Sequence, residues 1–189
     1  MVSFVRSFPC VAFSGSRVAG SSAVASCRAL LPALSGLSVP VAVGCASGVD
    51  SAVRSAFPHC SVFSVSSFLV GGRVARASFA RRSSALVSWC VSGGGLLVAF
   101  PLGSCPSGVR PSVSFSGRGS GTWGSVALAV SGCSVLVVAP AGASASWFGS
   151  LAASFRCLGT APCGGSLWVA APRAVSMPCL SAGGQLTLF

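Results

Sequence analysis

The sequence predicts an α/β fold of three layers, with a mostly parallel sheet of about five to six strands between two layers of helices. Three observations predict it. Short, unbroken apolar runs, often β-branched, recur at residues 11–13, 39–43, 96–100 and 135–139, and each is followed by Gly, Ser or Pro. A strand covered on both faces needs such continuous runs, whereas a strand with one wet face alternates. Segments long enough to be helices lie between the runs, which is the order of βαβ units. Finally, 189 residues that are 52% hydrophobic and 7% charged suffice for one buried core and lack the signature of a disordered chain.

The first run, 11–13, leads through Ser14-Gly15-Ser16-Arg17 into a helical segment over 21–34, which Ser21 or Ser22 can cap with a side-chain oxygen. The second, 39–43, passes through Gly44-Cys45-Ala46-Ser47-Gly48 into a helix over 49–57, with Asp50 or Ser51 as its cap and Arg54 one turn on as the partner of Asp50. A helix over 79–92 carries Arg81-Arg82-Ser83-Ser84 and precedes the strand at 96–100. Residues 102–121, rich in Gly, Ser and Pro, form a long loop, and long loops in compact domains are usually functional. A helix over 121–130, the strand at 135–139, a helix over 145–155 capped by Ser144 and a strand at 167–170 complete a domain spanning 1–170. A tail, 171–189, carries Pro172, Pro178 and Gly183-Gly184.

The charge balance is extreme. All twelve basic residues are Arg, facing one acid, for a net charge of +11. Lys, Glu, Asn, Ile and Tyr are absent, while Asp50, His59 and Gln185 are each alone of their type. The missing types share adenine-rich codons, so much of this bias belongs to the nucleotide composition of the gene. It still excludes a paired-carboxylate hydrolase, a Schiff-base lysine and a tyrosine nucleophile. The 10 cysteines are spread evenly without a CxxC, so free thiols are expected, with no metal site and no required cofactor. Ser14-Gly15-Ser16-Arg17 ends the first apolar stretch well short of a signal-peptide core, which points to a cytoplasmic protein. Mean hydropathy is +0.85 and no charge falls between Arg118 and Arg156, so a membrane-spanning helix over 123–143 is an alternative. Ser131-Gly132, Ser134, Pro140 and Gly142 punctuate that window and favour helix, turn and strand, with no membrane partner.

The functional signal lies in four polar segments. Gly15 and Ser16 open a helix and present free amides to an anion, to which Arg17 adds a guanidinium fork. Gly44 and Gly48 permit a tight turn before Asp50, which is either a helix cap or an acceptor for a ribose hydroxyl. Arg82 and Ser83 stand near Arg54, Arg73, Arg76 and Arg81, and the shortage of acids leaves these arginines open to an anionic partner. Gly119, Ser120, Gly121 and Thr122 at a helix start form a phosphate cradle, though not a Walker A loop, whose Lys is absent. In a parallel sheet the four segments meet at one edge, where ligands of such folds bind.

The ordered set VAFSGSR (11–17), VAVGCASGVD (41–50), ARRSSALV (80–87), LLVAFPLG (96–103), GSGTWGSVALA (119–129) and VLVVAP (135–140) resembles the SLOG superfamily. These are Rossmann-like domains that include DprA-type DNA-processing proteins and LOG-type phosphoribohydrolases. The resemblance covers residues 9–140. It implies that Gly15, Ser16, Arg17, Gly44, Gly48, Asp50, Arg82, Ser83 and Gly119 through Thr122 line a site for a nucleotide or ADP-ribose-like ligand.

The chain departs from the catalytic pattern. LOG-type loops read like PGGxGTxxE, but Ser125 stands where their Glu would be, and Ser83 stands where relatives commonly carry Asn. Asp50 is then the best catalytic candidate, and a binding or sensing domain is expected ahead of a nucleotide or ribosyl hydrolase. A DprA-like module for single-stranded DNA is the other alternative. The last five residues, Gln185-Leu186-Thr187-Leu188-Phe189, resemble the QLxLF peptide with which bacterial DNA polymerases and repair proteins dock on the sliding clamp. Leu186, Leu188 and Phe189 would be its apolar anchors and Gln185 its orienting polar contact. The expected partners are a nucleotide-type ligand, the clamp, DNA and a second copy of the chain.

Overall fold

The computed structural model describes residues 1–116 and 119–172. In chain order its elements are α1 (Val2–Arg6), β1 (Val11–Gly15), α2 (Ser22–Leu34), β2 (Val41–Gly44), α3 (Val49–Ala56), β3 (Ser61–Phe63), α4 (Arg76–Ser92), β4 (Leu96–Phe100), α5 (Gly121–Ala129), β5 (Ser134–Ala139), β6 (Arg156–Thr160) and β7 (Ser166–Ala170). They build one seven-stranded sheet in the order β3-β2-β1-β4-β5-β7-β6. The first five strands of that order are parallel, with Val11 opposite both Val41 and Leu96, and β7 pairs antiparallel with β5 and β6. Strands β3-β2-β1-β4-β5 follow the Rossmann order, in which the chain winds outward in both directions from β1.

Residue alternation divides the core between the two faces of the sheet. Val11, Phe13, Val43 and Val98 pack with Leu30 and Leu34 of α2 and Val49 and Val53 of α3. Ala12, Leu97, Val135 and Val137 pack on the other face with Leu86 and Val87 of α4 and Trp123 and Val126 of α5. Both faces are dry, which is why these strands read as continuous apolar runs. Each Leu or Val so buried contributes about 1.5–3 kcal/mol.

The sheet exceeds the expected size through its edges. Strand β3 is three residues long with Ser61 and Val62 exposed, and β6 is exposed throughout, so neither carries an apolar run. The expected helix over 145–155 is instead a 3₁₀ segment, Ala145–Ser154, broken at Gly149, where φ is 53°. Ser144 precedes it without capping, because its hydroxyl lies 2.8 Å from that of Ser146. Ser21 does cap α2 and accepts from the Val24 amide at 3.4 Å. The cap of α3 is Gly48, with φ at 69°, and not Asp50 or Ser51.

The alternative of a single helix over 123–143 is overturned. Helix α5 ends at Ala129, the chain turns at Ser131-Gly132, and β5 begins at Ser134. No helix of the described residues is long and apolar enough to cross a membrane. The loop between β4 and α5 is held down by specific contacts. Trp123 Nε1 donates to the Gly103 carbonyl at 2.9 Å, and the Cys105 and Ser112 amides donate to Trp147 and Ala127. Gln185, Leu186, Leu188 and Phe189 of the clamp-like tail lie outside the described residues.

Candidate functional site

The chain reverses its winding direction between β1 and β4, and crossovers that diverge at such a point leave a crevice at the carboxyl ends of the strands. A cleft of about 1170 Å³ opens there. Gly15 at the end of β1 and Ser16 and Arg17 after it form one part of its wall, and Leu102 and Gly103 after β4 another. Gly15 and Ser16 do not open a helix with free amides as expected, since α2 starts only at Ser22 and the Ser16 amide donates to the Phe100 carbonyl at 3.1 Å. Helix α4 contributes Arg82 and Ser83, and α3 contributes Asp50. Gly119, Ser120, Gly121 and Thr122 close it at the start of α5.

Its electrostatic centre is a buried ion pair. Arg82 Nη1 donates to Asp50 Oδ2 at 3.1 Å, with the two side chains 7% and 6% exposed. The same oxygen accepts from the Ala46 amide at 3.1 Å. Burial pushes the Asp50 carboxyl up from its ordinary range, while the Arg82 charge, the Ala46 and Arg82 hydrogen bonds and the Arg54 charge pull it down. Removing one partner of such a pair costs about 3–5 kcal/mol, because the other charge is stranded. Gly44 is a glycine for this pair's sake: a Cβ there would collide with the Arg82 guanidinium and the Asp50 carboxylate.

Arg54 does not pair with Asp50 as the four-residue spacing suggests. Its guanidinium donates to the carbonyls of Gly44 at 2.7 Å and Ala46 at 3.1 Å, clamping the loop after β2. That loop is locked in turn to the one after β1. The Val49 amide donates to Ser16 O at 2.9 Å, and the Ser47 hydroxyl donates to Arg17 O at 2.8 Å. Gly48 permits this approach, since a Cβ would meet the Ser16 carbonyl. Gly44 and Gly48 therefore stand behind the cleft instead of lining it, and support Asp50, Arg82 and Arg17 from there.

Two groups at the cleft have no partner among the described residues. Arg82 Nε is buried without a hydrogen bond, the one such side-chain nitrogen or oxygen among the described residues. An unsatisfied buried donor costs about 1–3 kcal/mol. At α5, Ser120 caps the helix by accepting from the Trp123 amide at 3.3 Å. The Gly121 and Thr122 amides are left without a partner among the described residues, at the positive end of the helix dipole.

Comparisons with known proteins stand beside this geometry. No protein-family model matches the chain, and no curated protein matches it. It is similar to the X-ray structure of DNA processing protein A (DprA) from Streptococcus pneumoniae. The identity is 15% and the TM-score 0.47, over 69% of this chain and 50% of that one. The chain thus spans about half the length of that protein.

The cleft also holds Phe79 and Phe115, which the sequence reading did not assign to a site, and Arg76, which it counted only among the arginines open to an anionic partner. Phe79 carries a usable signal, because it precedes Arg82 by three positions on a helix and so shares its face. Phe115 lies in the loop and carries none. Ser125, at the position of the LOG-type Glu, is buried and donates to the Gly121 carbonyl at 3.2 Å, outside the cleft lining. The nine cysteines among the described residues are free thiols, and no group of three or more His, Cys, Asp or Glu side chains among those residues is placed to hold a metal.

Proposed function

We propose that the chain is a SLOG-type binding or sensing domain that takes a nucleotide or ADP-ribose-like ligand, with its phosphate between Arg82 and the start of α5. The observation that carries this reading is Arg82, a wall residue of a switch-point cleft whose buried Nε has no hydrogen-bond partner. A phosphate oxygen can accept from it while other oxygens accept from the Gly121 and Thr122 amides. Binding is favoured over hydrolysis by the state of Asp50. Its Oδ2 already accepts from Arg82 and Ala46, so the only carboxylate side chain of the chain serves as an anchor, and Ser125 offers no second acid/base group. A LOG-like hydrolase or a DprA-like module for single-stranded DNA remains the runner-up, the second supported by the exposed Arg17, Arg73, Arg76 and Arg81.

Thermal unfolding with AMP, ADP-ribose, NAD or a single-stranded oligonucleotide tests the reading. At a hundredfold excess over Kd, a ligand of the folded state stabilises by about 2.7 kcal/mol, which for a chain of this size raises Tm by about 5 to 10 °C. Arg82→Lys, which keeps a cation beside Asp50 but removes Nε–H, should abolish most of the shift. No shift with any of these compounds rejects the binding reading, and a shift with the oligonucleotide alone favours the DNA module.

The sequence of the tail supports recruitment to DNA through the sliding clamp, in a cytoplasmic setting. Retention of the chain on immobilised bacterial clamp should vanish when residues 185–189 are deleted. Unchanged retention, or none by the full chain, rejects the docking peptide.

A further inference from the structure

The anion-binding reading leaves one feature of the cleft without a role. Phe79 lines the cleft half-buried and belongs to neither core cluster, so folding does not use its ring. The guanidinium carbon of Arg17 lies 4.7 Å from the centre of that ring. Arg17 is exposed, and its guanidinium makes no hydrogen bond or ion pair among the described residues, which leaves Phe79 as its contact. The backbone beneath Arg17 is fixed by the Ser47 hydroxyl on its carbonyl and by the Val49 amide on the carbonyl of Ser16. A planar cation is thus held against an aromatic ring in the cleft that Arg82 also lines.

We propose that the Arg17–Phe79 pair is the platform on which the base of the ligand stacks, so that the cleft selects phosphate compounds carrying a planar heteroaromatic group. The proposal rests on the phosphate position argued above. Phe79 is three residues from Arg82 on α4, about 4.5 Å along the axis, a separation that a ribose between phosphate and base can bridge. Guanidinium and phenyl groups both stack on the π face of a base, whatever its hydrogen-bonding edge. Leu102 and Phe115 add apolar surface to the same cleft. The pair recognises base aromaticity, and the phosphate end alone recognises charge.

Calorimetric titration of the full chain with AMP, ribose 5-phosphate and inorganic phosphate separates the two ends. AMP should bind about 10- to 100-fold more tightly than ribose 5-phosphate, the range expected for one stacked base. Phe79→Ala should bring AMP down to the affinity of ribose 5-phosphate and leave ribose 5-phosphate unchanged. Phe79→Trp should keep the preference and show indole fluorescence quenched by AMP and not by ribose 5-phosphate. Equal affinities for AMP and ribose 5-phosphate in the unmodified chain, or equal weakening of both by Phe79→Ala, overturn the platform while leaving the phosphate site standing. Failure of all three compounds to bind overturns the platform and the reading beneath it together.

Discussion

Cys27 on α2 has no exposed surface, and burial pushes its thiol up to about 12, with the Asp50 charge adding to the rise and the Arg28 charge opposing it. Burial alone raises Cys105 to about 11. Between pH 9 and these values the unfolded chain loses thiol protons that the folded chain keeps. Their contribution to stability is therefore complete below pH 9 and is lost as pH rises, at no more than about 1.4 kcal/mol per unit for each thiol. Cys27→Ala should flatten the fall in Tm between pH 9 and 11, measured by calorimetry; a profile parallel to that of the unmodified chain contradicts the assignment. At this scale the sequence was legible in kind but not in pairing. Asp50 and Arg82 both stood out, one for its rarity and one for its cluster, yet local spacing paired Asp50 with Arg54. The true partner is 32 positions away, and only the packing of α3 and α4 at the strand ends of the sheet brings it near.

At the scale of elements, legibility followed burial. Strands β1, β2, β4 and β5 and helices α2 to α5 were readable because both faces of the sheet are covered and the helices fill that cover. Strand β6 and most of β3 face solvent, and α1 buries only Val5, so none left a hydrophobic pattern to find. The failed helix over 145–155 has a backbone cause. Its apolar residues suit a helix, but Gly149 takes a φ that breaks the turn, and the chain there follows the loop after β4, with the Trp147 carbonyl accepting from the Cys105 amide. The cap of α3 misled for a similar reason: a glycine replaced the expected side-chain oxygen because two loops had to approach more closely than a Cβ allows. The four polar segments were read correctly as neighbours, since parallel connectivity alone carries them to one edge of the sheet. Which of their residues line the cleft and which stand behind it depends on tertiary contacts that spacing does not encode.

For the whole molecule, a net charge of +11 acquires a more specific sense from the placement of its one acid. Asp50 is committed to Arg82, so the remaining arginines meet no carboxylate side chain, and the exposed ones near the cleft give it a field that draws anions. In the proposed reading, the start of α5 and the Arg82 guanidinium convert general attraction into a shaped site. The central claim is that this site holds the phosphate of a nucleotide-type ligand, and a crystal structure of the chain with AMP or ADP-ribose tests it most directly. A phosphate is expected within hydrogen-bond distance of the Arg82 guanidinium and the Gly121 and Thr122 amides. Ligand density elsewhere on the molecule, or an empty cleft at saturating ligand, would contradict it.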